Sequence, residues 1–254
     1  MPTILGRLMI SAWLALLACA GFAAPAWAED VTVAVAANFT DPVKAIAVEF
    51  EKATGDHLVL SFGSSGQFLT QITNGAPFQV FLSADADRPM KTEQAGLAVT
   101  GTRFTYAIGK LVLWSPTAGL VDERGAVLSG GHFDKIAIAD PTAAPYGVAA
   151  IQTMQKLGVY DALKPKIVQG TSIAQAFQFT KTGNAELGFV ALSQVIDEPG
   201  GSRWIVPEAD HDPIIQQAVL LKTGADSKGA RAFLAFLKSP TALAIIHKFG
   251  YATP

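Results

Sequence analysis

Two kinds of hydrophobic pattern alternate along the chain. Val80–Ser83 and Leu187–Ala191 are short, nearly continuous apolar runs, which are typical of strands buried on both faces of a sheet. Residues 41–54 instead carry apolar side chains at mostly helical spacing, and Gly55 follows directly. The alternation of the two patterns predicts an α/β protein. The further predicted strands are 31–36, 58–62, 106–114, Ile136–Ala139 and 214–221, and the further predicted helices are 67–74, 147–157, 173–182 and 228–249, the last broken at Ser239-Pro240.

The N-terminal segment has the pattern of a secretory signal peptide. Arg7 precedes an apolar run, and Ala26-Trp27-Ala28 precedes the acidic Glu29. This order of charge, apolar core and A-x-A site predicts cleavage after Ala28. The alternatives are an uncleaved membrane anchor, since the run is near the roughly 20 residues that span a bilayer, and a lipoprotein site at Cys19.

Charge and cysteine content narrow the range of functions. The first 28 residues hold one arginine and no acidic residue, so their removal leaves 226 residues and changes the net charge from −2 to −3. The chain's single cysteine, Cys19, is removed with them. The mature chain therefore needs no disulfide and offers no thiolate. A slightly acidic protein also lacks the concentrated basic face that nucleic-acid binding requires.

Loops rich in small and hydroxylated residues follow predicted strands or precede predicted helices. They are residues 36–40 (AANFT), 63–66 (GSSG), 140–147 (DPTAAPYG) and 170–173 (GTSI), and Asp140 is their one charged residue. In an open parallel sheet such loops meet at the carboxyl ends of the strands, where helix starts present free N–H groups. This chemistry suits a small oxyanion. The alternative for each loop is plain helix capping, by Thr40, Ser65 or Ser172.

Enzyme and metal chemistry find less support in the sequence. Ser64 and Ser65 lie between a strand and a helix, as a hydrolase nucleophile would, but Gln67 replaces the last glycine of the G-x-S-x-G pattern. The histidines are scattered, and we interpret them as surface or capping residues; they are His57, His132, His211 and His247. His211-Asp212 lacks the further ligands of a zinc site. We therefore expect no catalytic activity, no cofactor and no direct protein–metal bond.

A series of motifs runs through the whole mature chain in a fixed order. They are 36–39 (AANF), 62–66 (FGSSG), 74–85 (NGAPFQVFLSAD), 109–114 (GKLVLW), 140–147 and 186–191 (ELGFVA). In sequence and order they resemble the periplasmic molybdate-binding proteins of ABC transporters. The segment 74–85 is the most specific part of this resemblance.

The resemblance implies a two-lobed type II periplasmic binding protein fold of the α/β class. Each lobe would be a mostly parallel sheet flanked by helices, and two hinge strands would join the lobes. The implied division is a signal peptide at 1–28, a discontinuous lobe I at 29–108 and 216–254, and lobe II at 109–215. The hinge strands would be 106–114 and 214–221.

The resemblance also implies a ligand, its binding residues and its partner. The ligand would be molybdate or tungstate, bound as an intact oxyanion by Asn38 and Ser65 of one lobe and by Tyr146 and Ile173 of the other. Ala37 would add a backbone donor. The partner would be an inner-membrane ABC permease, and we expect a periplasmic monomer that binds no nucleic acid. Sulfate, thiosulfate or another small oxyanion remains an alternative ligand, and a secreted serine hydrolase a more distant alternative function.

The chain departs from the family pattern at two positions. Asn38 stands where many relatives have serine, and Ala191 stands where they have tyrosine, so Tyr146 is expected to supply the missing contact. A pocket of fixed radius that offers only donors would favour molybdate over the smaller sulfate, and would leave the proton of hydrogen phosphate without an acceptor. Asp140 is the nearest candidate acceptor, and we predict that it is a turn or helix-start residue instead.

Overall fold

The structure is a computed structural model that describes residues 28–130 and 132–254. The predicted signal peptide and Cys19 lie outside the described residues, except for Ala28. The strands are β1 (Asp30–Ala36), β2 (His57–Gly63), β3 (Val80–Ser83), β4 (Phe104–Gly109), β5 (Leu111–Ser115), β6 (Ile136–Ala139), β7 (Ile167–Gly170), β8 (Leu187–Ala191), β9 (Ser202–Ile205) and β10 (Ile214–Leu220). The helices are α1 (Thr40–Thr54), α2 (Ser65–Thr73), α3 (Asp87–Gln94), α4 (Val127–Gly130), α5 (Pro145–Lys156), α6 (Tyr160–Leu163), α7 (Ile173–Lys181), α8 (Leu192–Val195), α9 (Lys228–Phe236) and α10 (Pro240–Lys248).

The strands form two sheets, each the centre of one lobe. The first has the order β2-β1-β3-β10-β4 and the second the order β7-β6-β8-β5-β9. In the first sheet only β10 runs against the other strands, and in the second only β5 does. The predicted α/β class and the mostly parallel, two-lobed architecture are therefore confirmed. Each antiparallel strand is the first strand of its sheet after the chain crosses from the other lobe.

The strand predicted at 106–114 is wrong as one element. The chain forms β4 up to Gly109 and β5 from Leu111, and these strands belong to different sheets. Only Lys110 separates them, and the apolar pattern continues across it because both strands are buried. The return crossing lies between β9 and β10 at residues 206–213. The exact lobe boundaries at 108/109 and 215/216 stay a prediction, and β10 of the first sheet begins at Ile214.

Helices pack their apolar stripes on these sheets. In α1 the buried residues Val43, Ile46 and Phe50 lie one turn apart, as the sequence pattern predicted. Gly55 ends α1 in the left-handed conformation with φ 81°, and its N–H bonds the Glu51 carbonyl. The predicted break before α10 is confirmed, with Ser239 as its N-cap.

Several elements escaped the sequence analysis because their hydrophobic signal is weak. Helix α3 buries only Pro89 and Thr92, so its sequence carries little of the periodic apolar pattern of a helix. Strands β7 and β9 each pair with one neighbour at the edge of the second sheet and are partly exposed.

Among the described residues no single helix has the length and apolar character to cross a membrane, although the bent pair α9 and α10 meets both criteria jointly.

Phe50 is a test of how much the first lobe depends on this packing. Its ring is fully buried, with centroids 5.5 Å from Phe233 and 5.6 Å from Phe236. We expect Phe50→Ala to lower the free energy of unfolding by about 3 to 5 kcal/mol, since it leaves a cavity in the core. Urea unfolding followed by circular dichroism measures this change. Phe62→Ala, at a 39 % exposed ring on β2, is the matched control and should cost much less; equal losses would contradict the assignment of the core.

Candidate functional site

A small cavity lies between the two lobes, at the ends of β1, β2, β6 and β7. Its volume is about 10 Å³. It is lined by Ala36, Ala37, Asn38, Gly63, Ser64, Ser65, Ala84, Ala144, Pro145, Tyr146 and Ile173. The structure thus brings together all the site residues predicted from the sequence. None of the lining residues carries a charge.

Each predicted site residue lies in the first turn of a helix. Asn38 belongs to the 3-10 turn Ala37–Phe39 after β1, and Ser65 is the first residue of α2. Tyr146 follows Pro145 at the start of α5, and Ile173 is the first residue of α7. The N–H groups of a first turn have no intrahelical acceptor, and helix starts carry partial positive charge. The cavity is therefore surrounded by backbone donors without any fixed cation.

The two serines of the GSSG loop have different roles. Ser64 is the N-cap of α2: its Oγ accepts from Gln67 N at 3.4 Å, and Gln67 Oε1 accepts from Ser64 N at 3.2 Å. Ser65 Oγ instead accepts a hydrogen bond from Ala84 N at 2.9 Å. A hydroxyl that accepts in this way still has its own O–H to donate. Ser65 is 1 % exposed, so that donor is confined to the interlobe region.

Helix capping was the alternative role for Thr40, Ser65 and Ser172. This alternative is correct for one of the three residues. Ser172 is the N-cap of α7 and accepts from Gln175 N at 3.3 Å. It is wrong for Ser65, and it is wrong for Thr40, whose hydroxyl donates to the Ala37 carbonyl at 2.8 Å. Asp140 is confirmed as a turn residue, because its Oδ1 accepts from the N–H and the hydroxyl of Thr142.

The Tyr146 phenol is engaged beneath the cavity. Its oxygen accepts from Gln216 Nε2 at 3.3 Å, and the side chain is buried. Burial raises the pKa of this phenol well above its ordinary value, so it stays protonated at alkaline pH as well as at neutral pH. The Tyr146 main-chain N–H lies in the first turn of α5, where no intrahelical acceptor is available to it.

The Asn38 side chain is likewise held by protein groups. Its Nδ2 donates to Gln216 Oε1 at 2.8 Å and to the Tyr251 hydroxyl at 2.9 Å. Its Oδ1 is the one buried side-chain polar atom in residues 28–130 and 132–254 that has no hydrogen-bond partner. The Asn38 carbonyl accepts from the hydroxyls of Ser193 and Tyr251, each at 2.8 Å.

Gln216, Tyr106, Ser193 and Tyr251 complete a buried polar network that sequence reasoning missed. The Tyr106 hydroxyl lies 3.1 Å from Gln216 Oε1 and 3.2 Å from the Ser83 carbonyl oxygen, and its single hydrogen is shared between these acceptors. One signal was present: Gln216 is a polar residue within the apolar strand β10, and it is fully buried. Tyr251 lies near the C-terminus outside any periodic segment, so its sequence carried no such signal.

Direct contacts close the lobes around the cavity. Gly66 N donates to the Ala143 carbonyl at 2.9 Å, and Arg88 Nη2 donates to the Thr142 carbonyl at 3.0 Å. A β-carbon at Gly66 would lie 2.9 Å from the Ala143 Cα, which is too close for any side chain. Glycine at position 66 is therefore what permits the two backbones to meet.

Other parts of the molecule fit an anion or a catalytic site less well. A larger groove of about 480 Å³ is lined by the carboxylates of Asp85, Asp87 and Asp212 and by one cation, Arg88. Arg88 pairs with Asp85, so the groove is negative on balance and disfavours an anion. The hydrogen bonds of Ser64 and Ser65 involve no histidine. Within the described part of the chain, no group of three or more His, Cys, Asp or Glu side chains is arranged to hold a metal ion.

The two-lobed fold and the interlobe cavity are those of a solute-binding protein. The model of the family of bacterial extracellular solute-binding proteins matches residues 31–252, and the chain belongs to this family. It is similar to the molybdate-binding protein ModA of Rhodobacter capsulatus, with 59 % identity over 92 % of each chain. It is also similar to ModA of Azotobacter vinelandii, with 53 % identity over 97 % of each chain. The solved structure of an Azotobacter vinelandii periplasmic molybdate-binding protein matches with a TM-score of 0.85 and 45 % identity, covering 88 % of this chain and 99 % of that one.

The buried phenols predict a loss of stability at alkaline pH. Burial raises the pKa of Tyr251 from 10.0 to about 12, so its contribution to stability is fully present below about pH 10 and is lost as the pH rises towards 12. At about 1.4 kcal/mol per pH unit the loss reaches about 2 to 3 kcal/mol. Urea unfolding at pH 8 to 12 measures it. Tyr251→Phe should be less stable at pH 8 but decline less steeply above pH 10, and an unchanged slope in this variant would contradict the prediction.

Proposed function

We propose that this protein captures molybdate or tungstate in the interlobe cavity and delivers it to an inner-membrane ABC permease. The observation that carries the proposal is the set of free donors around a cavity lined by no charged residue. The similarity to proteins named as molybdate-binding supports the choice of ligand. Sulfate and thiosulfate use the same donor chemistry, but the relatives do not favour them.

Backbone N–H groups, the Ser65 hydroxyl and the Asn38 carboxamide would hold the oxyanion. Asn38 and Ser65 donate from lobe I, with Ala37 beside them, and Tyr146 and Ile173 donate from lobe II. The Ser65 hydroxyl adds a side-chain donor, since its oxygen already accepts from Ala84 N. Removing a dianion from water is costly, and donors that are already aimed at its oxygens offset that cost without reorganising. The metal would be bound only through its oxygens.

Capture and release would follow from movement of the lobes. The chain crosses between them at Lys110 and again at residues 206–213, which we propose as the hinge. Opening there would separate Gly66 from Ala143 and expose the ligand to the permease. The protein would act outside the cytoplasm after removal of residues 1–28, as a monomer with no cofactor and no catalytic activity of its own.

The paired serines test the proposed donor. Ser65→Ala removes the hydroxyl and should weaken molybdate binding by about 1 to 3 kcal/mol, or roughly tenfold to a hundredfold. Ser64→Ala is the matched control, because it removes a helix cap and should cost about 1 kcal/mol of stability with little change in affinity. Calorimetric titration of the mature protein with molybdate, sulfate and phosphate measures the affinities. A response to sulfate without one to molybdate would refute the ligand assignment, and Ser65→Ala with unchanged affinity would refute the donor.

Gly66 tests the role of lobe contact. Gly66→Ala places a methyl group against the Ala143 backbone, so we expect the closed form to be disfavoured and molybdate affinity to fall about tenfold or more. Small-angle scattering with saturating molybdate should then show a less compact protein than the wild type. Gly130→Ala is the control, since a β-carbon there meets no atom within 4 Å. Wild-type affinity in Gly66→Ala would mean that this contact does not contribute to closure.

A further inference from the structure

Gln216 connects the binding residues of the two lobes. It lies in β10, is fully buried, and its carboxamide contacts three side chains. Its Oε1 is 2.8 Å from Asn38 Nδ2 and 3.1 Å from the Tyr106 hydroxyl, and its Nε2 is 3.3 Å from the Tyr146 hydroxyl. Gln216 thus touches a proposed ligand-binding residue of each lobe without lining the cavity itself.

The present direction of these hydrogen bonds leaves Asn38 poorly suited to a dianion. Both hydrogens of its NH₂ group are directed to Gln216 and Tyr251, and its Oδ1 is buried without a partner. A buried acceptor that lacks a donor is costly. Beside an oxyanion that carries no proton it would also be repulsive, because neither oxygen has a hydrogen to offer.

The same atoms allow a second direction of hydrogen bonding. A 180° turn of a carboxamide exchanges its donor and acceptor ends. If Asn38 and Gln216 both turn, Gln216 Nε2 donates to Asn38 Oδ1 and to Tyr106, and the Tyr146 hydroxyl donates to Gln216 Oε1. The Tyr251 hydroxyl can then donate to Asn38 Oδ1, while Ser193 still bonds the Asn38 carbonyl. The Tyr251 hydroxyl then gives up its hydrogen bond to the Asn38 carbonyl, which keeps that of Ser193. The Asn38 NH₂ group occupies the side where the unpartnered oxygen lies.

We propose that Gln216 is the positioning residue that sets the direction of the Asn38 carboxamide, and that the oxyanion binds when Gln216 donates and the Asn38 NH₂ group faces the ligand. This inference rests on the proposed function and adds a determinant of specificity to it. The donating arrangement suits a tetrahedral oxyanion that has lost all its protons. The opposite arrangement presents Asn38 Oδ1 and suits an oxyanion that still carries a proton, such as hydrogen phosphate.

Gln216 is the determinant because its other neighbours can adapt. The hydroxyls of Tyr106, Tyr146, Ser193 and Tyr251 can each donate or accept, whereas a carboxamide has one end of each kind. The phenols stay protonated between pH 6 and pH 9, because the ordinary pKa of tyrosine is about 10 and burial raises the pKa of each further. Among the described residues, the Asp85 carboxylate acts on this cluster by raising the pKa of Tyr106.

The test uses Gln216→Glu and Gln216→Met in the mature protein. A carboxylate at position 216 can only accept, so it holds the Asn38 NH₂ group away from the ligand. We expect molybdate affinity to fall about a hundredfold at pH 9 and to recover, relative to wild type, as the pH is lowered to 6 and the buried carboxyl takes up a proton that it can donate. Gln216→Met removes both the hydrogen-bond donor and the acceptor, and it should lower molybdate affinity by a smaller factor that is independent of pH. Gln217→Glu, one residue along the strand and bonded to Arg103, is the matched control for charge.

A second measurement follows the amide groups directly and does not depend on folding of the variants. In ¹⁵N-labelled wild-type protein, the side-chain NH₂ signals of Asn38 and Gln216 should both shift when molybdate is added. Two results would overturn the proposed role of Gln216 but not the proposed function. They are unchanged NH₂ signals, or a Gln216→Glu variant that binds molybdate as tightly as Gln217→Glu at every pH. Wild-type protein that releases no heat with molybdate would overturn the proposed function and this inference together.

Discussion

The free N–H groups at helix starts are the constraint around which this molecule is organised. A first helical turn always has donors without intrahelical acceptors, and burying them unpaired is costly. Here the starts of the 3-10 turn at Ala37–Phe39, α2, α5 and α7 are buried against one small cavity. An acceptor-rich, donor-free ligand is the chemical complement of such a cavity. The neutral lining residues follow from this, because the dipoles already supply the positive potential.

The two-lobed architecture places these helix starts on two separate sheets. The starts in lobe I follow β1 and β2, whereas α5 and α7 follow β6 and β7 of lobe II. Donors on separate sheets can surround a ligand on all sides and still release it, which one rigid sheet could not do. The close approach of Gly66 to Ala143 and the hydrogen bond between Gln216 and Tyr146 join the lobes on either side of the cavity.

The pattern of apolar and polar residues predicted the strands and helix ends correctly where residues adjacent in the chain determine them. The bounds of β3, β6 and β8 agree with their apolar runs, because fully buried strands leave an uninterrupted signal. The break at Ser239-Pro240 and the end of α1 at Gly55 are likewise local events. The crossing at Lys110 went unseen because extended, buried chain lies on both sides of it. The site residues themselves came from resemblance to a family, and local pattern located only their loops.

The sequence by itself determined the α/β class, the positions of most helix starts and the small, uncharged residues that occupy them, since these depend on neighbours along the chain. Only the tertiary structure decided that Ser64 caps its helix while Ser65 receives the Ala84 N–H, because that donor comes from another strand end. It alone placed Gln216 and Tyr251 around Asn38, which is distant from both in sequence. Hydrogen-bond partners across such separations are set by how the sheets pack, and no local pattern encodes them.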